Sequence, residues 1–231
     1  MRNNFQARIS AARHAGAMMW EPPIPAAHRT RMPRGDRRRW RKTRSLADVA
    51  ELTALWLEGA MASQPNYRPN YGPDEETKPL IPMLAALNRA GFLTDLSQPG
   101  VLEECEGGGV LRRQRAAVEG FVDRCNGQLI VDAAIAAKLW VVLDGVILNG
   151  GSSVSRGPGG GVVVTELDGG GHPGCFGGYA PGEWRRVAYK ECGCLARQEI
   201  VESVCLAVID PEYDRNDVLC PAISEGLWRR M

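Results

Sequence analysis

The sequence predicts an α/β protein, with α+β as its variant: a small, partly mixed central sheet flanked by helices, forming one domain over residues 45–231 behind a disordered basic segment, residues 1–44. Three observations carry this. Stretches with helical apolar spacing alternate with short runs rich in Val, Ile and Leu over most of the chain. At 231 residues, 44% hydrophobic and 24% charged, the chain is long and apolar enough to bury a core. Charge is also split by position, with +10 over the first 44 residues and −9 over the rest inside a net +1.

The first 44 residues are rich in Arg and Pro, with Glu21-Pro22-Pro23-Ile24-Pro25 in the middle and no sustained apolar period, hence the expected disorder. Met18, Met19 and Met32 read as alternative starts. Ser45-Leu46-Ala47-Asp48 opens the first helix as a capping box, and Leu46, Val49, Leu52, Leu55 and Trp56 continue its apolar stripe to about Ala62. A second helix begins with the acids of Asp74-Glu75-Glu76, delayed or kinked by Pro79 and Pro82, and ends at Gly91. Strands are expected over 92–95 and 116–122, a third helix over 126–138, and one buried strand over 140–148, bulged near Gly145. The glycine-rich stretches 149–161 and 169–182 read as loops around a short strand, 162–167. A helix over 195–203, a strand over 204–210 and a short helix over 218–226 close the domain.

Seven scattered cysteines, an odd number without the density of a stapled secreted domain, read as reduced thiols and a cytoplasmic setting. Arg13 and His14 interrupt the place where a secretory apolar stretch would run. The best membrane candidate, 129–148, contains Asp132, Lys138 and Asp144, so no span is expected.

The tripeptide Ser-Gln-Pro occurs twice, at Ser63-Gln64-Pro65 and Ser97-Gln98-Pro99. The second copy, with Thr94, Asp95, Ser97, Gln98, Gln114 and Arg115, is a candidate pocket: Gln98 and Arg115 would donate hydrogen bonds and Asp95 would accept or act as a base. Turn formation by Ser and Pro explains the same residues without a ligand. His172, Cys175, Cys192 and Cys194 are candidate zinc ligands, although H-x2-C with C-x-C is no common zinc spacing and buried thiols are the preferred explanation. Asp210, Glu212, Asp214 and Asp217 could meet a divalent cation, but Pro211 and Asn216 make an acidic turn the simpler account. Gly157 to Gly161 lacks the Lys-Ser/Thr ending of a phosphate loop, and no G-x-S-x-G elbow is present. The catalytic residues and any cofactor are therefore left unassigned.

Residues 34–44 hold seven basic side chains in eleven positions. Arg37, Arg38, Arg39, Arg41, Lys42 and Arg44 would pair with phosphates, and Trp40 within the run would stack on an unpaired base. A solvated face, or an arm neutralised by its own acidic domain, is the bland alternative.

The blocks Leu87-Asn88-Arg89-Ala90-Gly91-Phe92, Thr94-Asp95, Ser97-Gln98-Pro99-Gly100, Gln114 to Phe121 and Asp210-Pro211-Glu212-Tyr213 with Arg215-Asn216-Asp217 resemble an uncharacterised domain family of actinobacteria and their mobile elements. The likeness runs from about residue 34 to 228 and departs at Tyr213 and Cys220, where Trp is more typical. It implies a coherent fold and a bacterial cytoplasmic setting, and it implies no activity. Together these features suggest a binding or accessory protein that contacts nucleic acid through its basic segment, its ligand otherwise unknown. The alternative is a small enzyme acting on a nucleotide or nucleic acid through Thr94–Gly100.

Overall fold

A computed structural model describes residues 31–104, 110–150, 154–157, 160–167, 174–178 and 182–228. Its centre is a seven-stranded sheet in the order β1-β3-β9-β4-β5. These strands are β1 (Phe92–Gln98), β3 (Val110–Val122), β9 (Val204–Tyr213), β4 (Trp140–Leu143) and β5 (Val146–Ile147). The long β3 organises the sheet. Its C-terminal half pairs with β1 and β9, while its N-terminal half pairs with β2 (Val101–Glu104) and β7 (Thr165–Leu167). A separate ribbon joins β6 (Val162–Val163) to β8 (Cys175–Phe176). Every pairing between these strands is antiparallel, so the mixed helix-and-sheet class takes its α+β form and lacks the expected parallel component.

The helices are α1 (Arg34–Arg41), α2 (Leu46–Leu57), α3 (Ile81–Arg89), α4 (Arg124–Ala136), α5 (Gly182–Ala188), α6 (Cys194–Glu202) and α7 (Leu219–Trp228). Alternation along the strands gives the sheet two apolar faces. Val118, Val122, Leu206 and Val208 join Val49, Leu84, Ile130, Ile200 and Ile223 of the helices in the larger core. At the intervening positions Ala117, Trp140, Val142, Ala207 and Ile209 pack with Val162, Val164 and Phe176 of the glycine-rich segment. That segment is thus a cover for the second face; β8 lies where only loop was expected, and α5 falls in a stretch, 183–194, to which the sequence assigned no element.

Local chemistry explains where the elements begin. Ser45 Oγ accepts the Asp48 N–H while Asp48 accepts the Ser45 N–H, completing the capping box of α2. The prolines delay α3: residues Glu75–Leu80 form a 3-10 helix, and Pro82 falls in the first turn of α3, where its missing N–H costs no bond. The stretch 140–148 is a hairpin instead of one bulged strand, because Asp144 (φ 45°) and Gly145 (φ 82°) take the left-handed conformations of a two-residue turn. Among the described residues no helix is long and apolar enough to cross a membrane.

The expected disorder of the basic segment is corrected over its last part. Residues 34–41 are helical, with Trp40 fully buried and Met32 nearly so. A single large aromatic in the core supplies enough apolar burial to fix this otherwise polar helix. Residues 1–30 lie outside the described residues.

Candidate functional site

In α1, Arg34, Arg37, Arg38 and Arg41 recur at intervals of three, four and seven, which places them along one side of the helix. They line, with Lys42, a shallow depression of about 340 Å³. Trp40 anchors the flank of the helix next to this row, its Nε1 donating to the Ser63 carbonyl at 2.9 Å. Asp36 holds the following loop by accepting the N–H groups of Ala62 (2.9 Å) and Ser63 (3.0 Å). The far end of α1 is pinned by Gly193, whose N–H reaches the Trp40 carbonyl and Thr43 Oγ1, both at 3.1 Å. A Cβ at Gly193 would stand 1.9 Å from the Thr43 carbonyl oxygen, so only glycine permits this approach.

The indole of Trp40 is therefore packed inside the protein and is not presented to a base. The cations remain on the surface: Arg34, Arg38, Arg39, Arg41, Lys42 and Arg44 are exposed, and Arg37 is partly so. Glu191 lies 3.8 Å from Arg37 Nε and 3.6 Å from Arg41 Nη2. Among the described residues, Arg34, Arg38, Arg39, Lys42 and Arg44 form no ion pair.

The structure brings Gln98 and Gln114 together around Thr165, whose hydroxyl lies 3.4 Å from both amide oxygens, with Arg115 beside them 3.9 Å from Glu166, but their N–H groups are largely given to main chain. Gln98 Nε2 donates to the Arg115 carbonyl, Gln114 Nε2 to the Pro99 carbonyl, both at 2.8 Å, and Arg115 Nε to the Pro211 carbonyl at 3.1 Å. The Arg115 guanidinium also stacks 3.8 Å from the centre of the Tyr213 ring. The Ser-Gln-Pro-Gly turn is stapled to the late Arg-Asn-Asp turn, because Gly100 N–H donates to Asn216 Oδ1 (2.7 Å) and Asn216 Nδ2 returns a bond to the Gly100 carbonyl (3.0 Å). Ser97 pairs with Val118 in the sheet and is partly exposed. Thr94 is turned elsewhere and bonds buried Asn88 at 2.6 Å.

Asp95 belongs to a different cluster. A register shift in β1 separates it from the residues of the turn, and it accepts from Asn66 Nδ2 (3.0 Å) and the Tyr189 hydroxyl (2.9 Å). Nearby Glu119 accepts the Gly177 N–H at 2.6 Å and the Cys205 thiol at 3.6 Å. Burial raises the pKa of Asp95, against the lowering effect of its two hydrogen bonds. Burial pushes Glu119 up to about 7, helped by the negative charge of Asp95 and opposed by the Gly177 hydrogen bond. The sequence reading missed Glu119, Tyr189 and Cys205; a lone carboxylate in the apolar run 116–122 was the available signal.

Of the metal candidates, His172 lies outside the described residues, Cys192 is buried and Cys194 exposed. Burial raises the Cys192 thiol to about 12, the protonated form that binds metal poorly. Asp210 is wholly buried and meets Arg215 Nε and Nη2, each at 2.7 Å, so its charge is already balanced. Among the described residues no group of three or more His, Cys, Asp or Glu is placed to hold a metal ion.

Residues 35–230 match a family described as "Domain of unknown function (DUF6919)". No curated protein matches the chain.

Proposed function

The chain belongs to the DUF6919 family of unknown function, and we propose that it acts as an accessory protein that contacts the nucleic-acid phosphate backbone through the exposed side of α1, in a bacterial, mobile-element cytoplasm. The observation that carries this is the row of Arg34, Arg37, Arg38 and Arg41 on a helix held in place by buried Trp40. Cations on a fixed helix lose less freedom on meeting phosphates than cations on a disordered arm. A lipid surface is the poorer partner, since every exposed side chain of α1 is basic and the helix has no apolar group left to insert. With the indole buried, contact depends on phosphates, and a preference for unpaired bases is not expected.

The test is titration of a short fluorescent duplex with the full chain and with the R34Q/R38Q/R39Q variant. Loss of three free cations is expected to weaken binding by about tenfold or more at low salt, with the fold unchanged by circular dichroism. Equal affinity of the two proteins would contradict the assignment to α1.

A second possibility, an enzyme working through Thr94–Gly100, draws support from the raised pKa of partly exposed Asp95 beside Glu119. It predicts that D95N abolishes a nucleotide-directed activity found by screening; retention of such an activity in D95N would remove it.

A further inference from the structure

Glu191 sits in the turn between α5 and α6, whose backbone is fixed against α1 by the close approach of Gly193 to Thr43. That docking holds a carboxylate beside Arg37 and Arg41, two residues of the basic row. The contact is incomplete on both sides. At 3.8 and 3.6 Å the charges attract, yet the distances exceed hydrogen-bonding range. Among the described residues, Arg37 Nε and Glu191 Oε2 are both buried atoms without a hydrogen-bond partner. A buried donor and a buried acceptor left facing each other unbonded make this a poor resting arrangement, and either atom gains when a better partner arrives. The Glu191 side chain keeps about a quarter of its surface exposed, at 27%, so it can turn outward to water without moving the turn that carries it.

Building on the proposed function, we infer that Arg37 and Arg41 form a phosphate seat which Glu191 occupies as an internal counter-ion, and that a backbone phosphate binds there by displacing the Glu191 carboxylate. A phosphate presents several strong acceptor oxygens, so it can meet Arg37 Nε and Arg41 Nη2 in true hydrogen bonds where one carboxylate oxygen reaches neither. Glu191 thereby sets a threshold. Isolated anions compete poorly against a tethered carboxylate, whereas a polyanion already held by Arg34 and Arg38 supplies the next phosphate at high local concentration.

The experiment is anisotropy titration of a 20-base-pair duplex with wild type, E191Q, R37Q/R41Q and the triple variant R37Q/R41Q/E191Q, with E191A as a second replacement. E191Q and E191A are expected to bind about three- to fivefold tighter than wild type, the range of one partly exposed ion pair released. The same change in the R37Q/R41Q background is expected to alter affinity by less than about 1.5-fold, as coupled residues require. Equal affinities for E191Q and wild type, or an undiminished gain in the R37Q/R41Q background, would overturn the seat while leaving the basic face as the binding surface. Absence of binding by all five proteins at low salt would overturn the proposed function and the seat with it.

Discussion

Glu119 shows what a single residue can store. Its carboxyl titrates at about 7 in the folded chain, against an ordinary value of 4.5, because burial penalises the charged form. The folded state therefore holds a proton that the unfolded state has released between these values, so its contribution to stability is fully present below about pH 4.5 and is lost as pH rises through 7. E119Q keeps an acceptor for the Gly177 N–H and removes the charge. Urea unfolding at pH 8.5 should find E119Q more stable than wild type by about 1–3 kcal/mol, the difference shrinking toward pH 5; a less stable E119Q at pH 8.5 would show that the charged form is the one the fold favours. The sequence reading selected Asp95 from this cluster but gave it the wrong neighbours. Its partner Tyr189 stands 94 residues away, and no local pattern links the two.

Elements were legible where their signals are local. The capping box of α2 involves only Ser45 and Asp48, and both of its hydrogen bonds are present. S45A should cost about 1 kcal/mol in denaturant unfolding; an unchanged midpoint would mean that packing alone sets the start of α2. By contrast, α1 reads as part of an arm because its apolar content is one residue, Trp40. The spacing of its arginines at three, four and seven was the available helix signal, overridden by composition. Likewise β2 and β8 border or lie within glycine- and charge-rich sequence, and they form because β3 and the second face of the sheet offer them partners, whereas α5 is held by the larger core through Ala188 and Trp184. W40A should destabilise the protein by about 3–5 kcal/mol and raise amide exchange over 34–44 in particular. A variant as stable as wild type would contradict the anchoring of α1.

At the scale of the molecule, the near-neutral total conceals two oppositely charged parts, and the end of the basic part is built into the core. Removal of residues 1–44 would strip Met32 and Trp40 from that core, so such a truncation is expected to unfold and point substitutions are the informative probes. The strand order was not readable from the chain, since β3 collects partners from 92–104, 165–167 and 204–213. Gln98, Gln114 and Arg115 do gather, but in an antiparallel sheet strand ends alternate, so what brings them together is not the shared carboxyl edge that gathers ligands in parallel sheets. What remains on the outside is a fixed row of cations. The most direct measurement is the affinity of the full chain for a duplex as a function of salt. Release of about four phosphate counter-ions predicts a slope of log K against log salt of roughly −3 to −4, whereas a slope near zero would contradict phosphate contact by the basic face.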